Sequence, residues 1–352
     1  MGKFPILSCL KGNVLSTRKT FAIGILSIII ATAVFSFWWT SYSSVSPAAP
    51  VLVVDDIGRN VLVEAPPKRI VSMAASVTEI LFALGLGDKV VGVTYACDYP
   101  PEALKIEKIS EMRPGMGSAP GPAPGNQPFG PFYIDKIVKL VPDLVIMERS
   151  YDDWQLYWYS KVKGEGLNVL MLWAKNFEDV LHDIALVGEV TWCQENATKL
   201  VSTLEKRISS VSEKVDKLPD ADKPRVFAAA YYDGKSDPWT FGPGYHKPIH
   251  FIDEIIRKAG GFNIMGDRES FFQIDLDTVI RLDPQVILAV DDPRYSVPTY
   301  ESIMNDKRLT VTEAFQNSAV YKLDMRPMVR PGPRLADSIE LVAQLLYPEL
   351  FN

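Results

Sequence analysis

Residues 135–146 read DKIVKLVPDLVI, and residues 277–288 read DTVIRLDPQVIL. At a constant offset of 142 residues, the two stretches align a leading aspartate, an apolar pattern, a leucine and a proline. In each, apolar residues at helical spacing are followed by a continuous apolar run, which predicts a short helix that turns into a buried strand. A weaker match pairs TEIL at 78–81 with DEII at 253–256, each followed by a glycine. Two matches in the same order indicate two α/β lobes.

Strands and helices alternate around the repeated stretches. Strands are predicted at 51–54, 60–63, 69–73, 90–93, 144–147, 168–172, 225–229 and 286–290, and helices at 78–84, 135–140, 250–259, 277–282 and 335–346. This order is typical of βαβ units with a largely parallel sheet. Residues 177–218 are almost wholly helical in pattern, with a break near Thr191. We therefore expect an N-terminal α/β lobe (51–175), a bridging helical segment (176–220) that holds one long helix, and a C-terminal α/β lobe (221–352).

The N-terminus has the pattern of an exported protein. Residues 1–20 carry four cations and no acid, and residues 21–39 form an uncharged apolar run long enough to span a bilayer as a helix. Basic residues before that run place residues 1–20 in the cytoplasm and the body outside, in the periplasm or at the cell surface. We interpret 21–39 as a signal anchor or a signal-peptide helix, and 40–50 as a polar tether. The pattern leaves cleavage open.

Charge and motifs exclude several classes of protein. The net charge is −6 and there is no basic stripe, which argues against nucleic-acid binding. No G-x-S-x-G, P-loop, H-E-x-x-H or C-x-x-C motif occurs, so we expect neither an enzyme nor a resident cofactor. His246 and His250 are four residues apart, but Pro248 between them disfavours a shared helical face, and we predict no metal site. Cys97 and Cys193 are either a disulfide or two free thiols.

Aromatic side chains are concentrated after the predicted strands, where open α/β sheets bind their ligands. Aromatic walls suit a large, flat or chelated ligand. The candidate ligand-binding aromatic residues are Tyr95, Trp154, Tyr231, Tyr232, Trp239, Tyr245 and Phe271. Arg330 and Arg334 lie on a Pro/Gly turn before the last helix, where they would meet a ligand carboxylate or phosphate, or else pair with a surface acid. The stretch 113–131, dense in proline and glycine, is either a solvated loop or a flap over the ligand.

Four short phrases carry a family resemblance. They are RIVS at 69–72, SVTEIL at 76–81, GVT at 92–94 and DYPP at 98–101. With both repeats, they make residues 51–350 resemble the periplasmic-binding-protein family for iron complexes and cobalamin. The resemblance implies two Rossmann-like lobes joined by a rigid helix, a ligand cleft between the lobes, and delivery to an ABC permease and its ATPase. It also implies one acidic residue per lobe that docks onto the permease, here Asp135 and Asp277, where family members usually carry glutamate.

The ligand is left open at this level. The leader hairpin at 51–63 resembles iron-complex receptors, and Met112 lies nearest the position where cobalamin receptors place an aromatic residue. Haem, a ferric siderophore, a corrinoid and a metal oxyanion are all compatible with the sequence, and we favour a ferric chelate. Two other classes also stay open, namely a membrane-tethered sensor without an importer and a metal-dependent enzyme on the same scaffold. Sparse histidine and cysteine disfavour the enzyme.

Overall fold

A computed structural model describes residues 49–111, 131–149, 152–242, 251–266, 268, 271–294 and 297–351. Residues 50–352 belong to one compact unit. The predicted membrane segment 21–39 lies outside the described residues. Within them, no helix is both long and apolar enough to cross a bilayer.

The first half of the unit contains a hairpin and a parallel sheet. Its elements are β1 (Val51–Val54), β2 (Asn60–Val63), β3 (Ile70–Ser72), α1 (Ala75–Ala83), β4 (Val90–Val93), α2 (Ile134–Lys139), β5 (Leu144–Glu148), α3 (Asp152–Gly164) and β6 (Val169–Leu172). Among the described residues, β1 and β2 pair in antiparallel fashion, and the other four strands form a parallel sheet in the order β4-β3-β5-β6. The hairpin strands match the prediction residue for residue. Helix α3 was not predicted.

Two helices connect this sheet to the second half, α4 (Phe177–Val190) and α5 (Gln194–Val215). The predicted break near Thr191 is confirmed, because Trp192 takes a left-handed conformation with φ of 56° between the two helices. The longer helix of the connection is therefore α5, with 22 residues. Apolar side chains at i, i+4, i+7 and i+11 give α5 one buried face, which includes Leu204, Ile208, Val211 and Val215.

The second half contains a mixed sheet. Its elements are β7 (Arg225–Ala230), β8 (Trp239–Phe241), α6 (Ile252–Lys258), β9 (Phe262–Asn263), β10 (Phe271–Gln273), α7 (Leu276–Leu282), β11 (Val286–Asp291), α8 (Thr299–Asn305), α9 (Glu313–Gln316), β12 (Val320–Asp324), α10 (Arg326–Val329), α11 (Leu335–Leu346) and α12 (Pro348–Phe351). In the part that the structure describes, the strand order is β10-β8-β7-β11-β12, and β9 pairs with one end of β7. Strands β7, β11 and β12 are parallel, whereas β8 and β10 are antiparallel. The α/β fold class with parallel sheet cores is thus confirmed.

The helices of the two repeated stretches are followed by residues with the same backbone conformation. Val141 and Asp283, which the 142-residue offset aligns, follow α2 and α7 with φ angles of 45° and 47°. A left-handed residue ends a helix efficiently, and the proline that follows each position cannot continue it. A β-branched residue rarely adopts this conformation, so its presence at Val141 shows that the turn is imposed by the surrounding fold.

The repeat extends to the hydrogen bonds that hold the next strand. The backbone N–H of Arg69 donates to Oδ2 of Asp143 at 2.9 Å, and the backbone N–H of Arg225 donates to Oε1 of Gln285 at 3.0 Å. Asp143 and Gln285 are aligned by the same offset of 142 residues. In return, the backbone N–H of each donates to the carbonyl of the same arginine, at 2.8 Å in both copies. The two sheets are therefore built on one plan.

A continuous apolar core joins the two halves. It includes side chains from β3 and β5, from α4 and α5, and from β7, β11 and α11. Helix α11 packs against both α5 and α6. Strands β5 and β6 and most of β7 and β11 are buried along their length, as expected for strands covered on both faces. The carboxyl ends of the parallel strands are therefore left as the edges where ligand-binding side chains can be presented.

Candidate functional site

An aromatic cluster lies at the carboxyl end of β7. Tyr231, the first residue after the strand, has φ of 50°, and its ring meets that of Phe271 edge-on at 6.0 Å between centroids. Phe271 stacks on Trp239 at 4.7 Å and is tilted against Phe241 at 4.9 Å. The Tyr231 hydroxyl donates to the sulfur of Met325 at 3.5 Å, just past the end of β12. The structure thus brings together three of the predicted aromatic residues, and all three remain partly exposed.

Tyr232 is placed differently from its neighbour, and its prediction as a ligand-binding residue needs correction. Its side chain is 1% exposed and belongs to the core beneath β7 and β11. Its hydroxyl bonds Asp306 and accepts from Nη2 of Arg308 at 3.1 Å. Burial and the neighbouring Asp306 carboxylate raise the pKa of Tyr232 to about 12. Successive residues at a strand end diverge, so only one tyrosine of the pair reaches the aromatic cluster.

Arg330 and Arg334 also require correction, because carboxylates of this chain engage both guanidinium groups. Nη1 of Arg330 donates to Glu79 at 3.1 Å and to Asp98 at 2.7 Å, and its Nη2 donates to the Ala96 carbonyl at 3.1 Å. Arg334 donates two hydrogen bonds to Glu79, from Nε at 2.9 Å and from Nη2 at 2.5 Å. Glu79 is 3% exposed and Arg330 is 7% exposed. Both guanidinium groups therefore bind carboxylates of this protein, which corrects their prediction as ligand contacts.

These contacts form an ion-pair network between the two halves of the unit. Glu79 belongs to α1 and Asp98 follows β4, whereas the arginines flank α10 and precede α11. Arg326 extends the network, with Nη1 donating to Asp98 at 2.9 Å. Although burial alone raises it, hydrogen bonds and charge from Arg330 and Arg326 hold the pKa of Asp98 at about 2. The Asp98 carboxylate therefore stays charged at neutral pH.

The remaining predicted ligand-binding positions are only partly described. Tyr95 follows β4, is partly exposed, and has its backbone N–H bonded to the Ser110 hydroxyl at 3.1 Å. Trp154 lies in α3, but its side chain is outside the description. Met112, Tyr245, the histidine pair at 246 and 250, and residues 113–130 of the Pro/Gly stretch also lie outside it.

Three further residues lie at the carboxyl ends of β5 and β6 in the first sheet, and they were not predicted from the sequence. Arg149 directly follows β5, and Trp173 directly follows β6. Cζ of Arg149 lies 3.9 Å from the centroid of the Trp173 ring, and Nζ of Lys175 lies at the same distance. Their place after predicted strands was visible in the sequence. Trp173 is a single aromatic residue between Leu172 and Ala174, so it does not belong to the aromatic runs that mark the other strand ends.

A buried acidic pair lies beneath this edge. Asp183 on α4 is 2% exposed and hydrogen-bonds Asp56 in the hairpin turn. Burial, this bond, and the charges of Asp56, Glu148 and Asp179 raise the pKa of Asp183 well above its ordinary value. Asp56 also accepts from the backbone N–H of Trp173 at 2.8 Å. His182 Nε2 lies 3.4 Å from Asp56, and Glu148 accepts from the Ser76 hydroxyl. Hydrogen bonds of Asp56 to Met171 and Trp173 thus hold the hairpin turn against the end of β6.

This pair gives a testable pH dependence. A carboxyl whose folded pKa is raised adds stability below its unfolded pKa, near pH 4, and that stability is lost as pH rises through the folded value. We expect Asp183→Asn to be more stable than the unaltered protein at pH 8, because the amide donates to Asp56 without a buried charge. The difference should shrink steadily toward pH 4. Urea unfolding at several pH values measures it, and a pH-independent difference would contradict the assignment.

The described residues also include a cavity on the second sheet and two cysteines. A cavity of about 520 Å³ lies at the carboxyl ends of β11 and β12, and its lining includes Asp291, Asp292, Lys322 and Asp324. No group of three or more acidic, histidine or cysteine side chains in the described ranges is arranged to hold a metal ion. Cys97 is buried and Cys193 partly buried, and both are free thiols, which decides the question the sequence left open.

The two proposed docking acids occupy equivalent places. Asp135 is the second residue of α2 and Asp277 the second residue of α7, and both are exposed. Neither caps its helix: Tyr133 precedes α2 with no side-chain cap, and Asp275 caps α7 by accepting from the Thr278 N–H at 2.8 Å. Within the described residues, neither docking acid takes part in an ion pair. As acids in the first turn, both favour the helix dipole, and their carboxylates remain exposed at equivalent positions of the two repeats.

Comparison with known proteins assigns the family. A family model for "Periplasmic binding protein" matches residues 70–327, and the chain belongs to that family. The family consists of solute-binding proteins rather than enzymes, and such proteins carry ligands rather than cofactors. Membership implies an extracytoplasmic location and, as partners, a permease and an ATPase.

Individual relatives agree with this assignment. An uncharacterised ABC transporter substrate-binding lipoprotein of Bacillus subtilis is 27% identical, over 86% of this chain and 87% of its own. A vitamin B12-binding protein of Vibrio cholerae is 25% identical, over 80% and 90%. The crystal structure of the periplasmic vitamin B12-binding protein of Vibrio cholerae superposes with a TM-score of 0.61. The superposition covers 80% of this chain and 98% of the Vibrio chain. A periplasmic haem-binding protein from Roseiflexus shares the fold, with a TM-score of 0.64 at 23% identity over 80% and 98%.

Proposed function

We propose that this protein is the extracytoplasmic substrate-binding protein of an ABC importer, and that it captures a metal chelate between lobes at residues 51–175 and 221–352. The observation that carries the proposal is the exposed acid at the same position of each repeated helix. Neither carboxylate is the N-cap of its helix, and a permease with two-fold symmetry would contact both at once. In this proposal, residues 21–39 hold the protein at the membrane unless they are cleaved.

The chelate is an iron complex, siderophore or haem, or a corrinoid, and we favour a ferric chelate. Support comes from the partly exposed aromatic cluster of Tyr231, Trp239 and Phe271, since stacked rings provide contact area for a large, flat ligand. Relatives named for vitamin B12 and for haem share this fold. Tyr95, Met112, Trp154 and Tyr245 remain proposed contacts on the same grounds.

A thermal-shift screen of the purified chain tests the proposal. The probes are haemin, a ferric siderophore, cyanocobalamin, molybdate and zinc. A ligand present at 100 times its Kd stabilises the folded state by about 2.7 kcal/mol, which raises the melting temperature by several degrees. We expect haemin or the ferric chelate to give this shift and Trp239→Ala to reduce it. A shift with zinc or molybdate alone would favour a metal or oxyanion receptor. If no probe shifts the transition, chelate capture is refuted and a membrane-tethered sensor becomes the better assignment.

A further inference from the structure

The sequence contains one acceptor motif for N-linked glycosylation. Such a motif is an asparagine, then any residue except proline, then a serine or threonine. Asn196, Ala197 and Thr198 form it here, and no other asparagine of the chain has a serine or threonine two positions later. Glycan transfer to asparagine takes place outside the cytoplasm, and membership of the periplasmic-binding-protein family implies that location for this chain. The motif therefore lies in the compartment where it can be used.

The structure places the motif at the surface, in the first turns of α5. Asn196 and Thr198 are both exposed, whereas Ala197 between them is 2% exposed and packs into the core. Cys193, which precedes the helix, provides no side-chain cap. An uncapped helix start frays readily. Opening this turn would expose little apolar surface beyond the Ala197 methyl group, so the acceptor amide can reach an enzyme while the rest of the fold is kept.

The hydrogen bond that Asn196 makes is compatible with modification. Its Nδ2 donates to the carbonyl of Leu84, the residue after α1, at 3.0 Å. A primary amide carries two hydrogens, and a sugar would replace one of them. The remaining hydrogen can still donate to Leu84, so the glycosylated side chain keeps its place beside the end of α1.

The motif lies away from the surfaces that bind ligand and permease in the proposed function. Helix α1 begins after the carboxyl end of β3 and ends at Ala83, before β4 begins, so Leu84 lies at the amino edge of the first sheet. Helix α2 connects to the start of β5 in the same way, so its first turn, with Asp135, lies at the opposite, carboxyl edge. A glycan on Asn196 would therefore leave the carboxyl edge of this lobe uncovered.

We propose that Asn196 is an N-glycosylation site, and that the sugar donor is an oligosaccharide carried on a lipid phosphate of the membrane. In the transfer, Nδ2 of Asn196 forms a bond to the anomeric carbon of the first sugar. The bond from that carbon to the phosphate oxygen breaks, and the lipid phosphate leaves with the electron pair. The amide gives up one proton, and nothing is oxidised or reduced. The glycan would shield and solubilise the start of α5. This inference goes beyond the proposed function and requires only export of the chain, so either can fail without the other.

Mass spectrometry of the full chain, purified from the cells that naturally produce it, tests the proposal. Trypsin cleaves after Lys175 and Lys199, so one peptide carries both Asn176 and Asn196. We expect this peptide to gain the mass of an oligosaccharide, and fragmentation should place that mass on Asn196. Asn176 is an internal control, because no serine or threonine stands two positions after it. An unmodified peptide, or a glycan on Asn176 instead, overturns the proposal.

Substitutions at the threonine show whether the motif itself is recognised. Thr198→Ser keeps the hydroxyl and should keep the glycan, whereas Thr198→Val has a similar shape without the hydroxyl and should lose the glycan completely. Thr203→Val is the matched control, since it removes another exposed hydroxyl of α5 outside the motif and should leave the glycan in place. A glycan that persists in Thr198→Val, or that disappears in Thr203→Val, contradicts recognition of the motif. If a variant fails to fold, the peptide of the unaltered protein still decides.

Discussion

Glu79→Ala should destabilise the folded protein by about 3–5 kcal/mol, because it removes the buried carboxylate that two arginines share and leaves Arg334 without its ion-pair partner. Glu79 is 3% exposed and accepts from Arg330 and from both donors of Arg334. Without it, Arg334 loses both of these bonds, and Arg330 retains only Asp98 and the Ala96 carbonyl. Since α1 and the arginines belong to different halves, the loss should also loosen their junction. Urea-induced unfolding followed by circular dichroism measures the change.

A surface network provides the matched control for this prediction. Arg207 on α5 pairs with Glu340 on α11 at 2.5 Å, and the Glu340 side chain is 33% exposed. Because solvent screens such a pair, Glu340→Ala should cost only about 0–1 kcal/mol. Glu79→Gln should fall between the two alanine variants, since the amide oxygen still accepts one hydrogen bond. A cost for Glu79→Ala no larger than that for Glu340→Ala would show that the buried network contributes little to stability.

The double variant Asp135→Ala/Asp277→Ala should reduce ligand uptake by intact cells about 30-fold or more while leaving ligand binding unchanged. Removing one partner of a desolvated interfacial charge pair costs about 2–5 kcal/mol, and 2 kcal/mol corresponds to about 30-fold. Binding should not change, because both acids are exposed at the helix starts and contact no part of the aromatic cluster. Uptake of labelled ligand and calorimetric affinity, measured on the same variants, separate the two effects.

Conservative and remote substitutions sharpen this test. Asp135→Glu/Asp277→Glu keeps both charges and should retain most uptake, since the carboxylates remain at both helix starts. Glu205→Ala/Glu213→Ala makes the same change in net charge at exposed positions of α5 and should have no effect. Normal uptake in the alanine double variant would refute docking by these residues, and weakened ligand binding would mean that they act on the site itself.

Much of the fold was predictable because it depends on local patterns. The hairpin strands, β4 and the limits of α11 match the prediction residue for residue, because turns, β-branched runs and helical periodicity are properties of neighbouring residues. The strands β8, β9, β10 and β12 were missed. They are two to five residues long, and each is a strand only because it pairs with a neighbour in the sheet.

The candidate site was less predictable than the fold. The sequence placed Tyr231 and Tyr232 together after β7, and only the structure separates Tyr231, which meets Phe271, from Tyr232, which is in the core. It also could not reveal that Arg330 and Arg334 are held by Glu79, a partner some 250 residues away in the chain. Glu79 meets these arginines because α1 packs against the turn before α11.

The sequence by itself determined the duplicated plan of this protein, since the repeated helix–strand stretch is a local pattern written twice. It also determined the equivalence of Asp135 and Asp277, because equal positions in equal helices follow from alignment. Only the tertiary structure decided which side chains meet at the carboxyl end of β7 and which form ion pairs between the two halves. The reason is that both groupings depend on neighbours distant in the chain, such as Glu79 for Arg330 and Arg334, which no local pattern records.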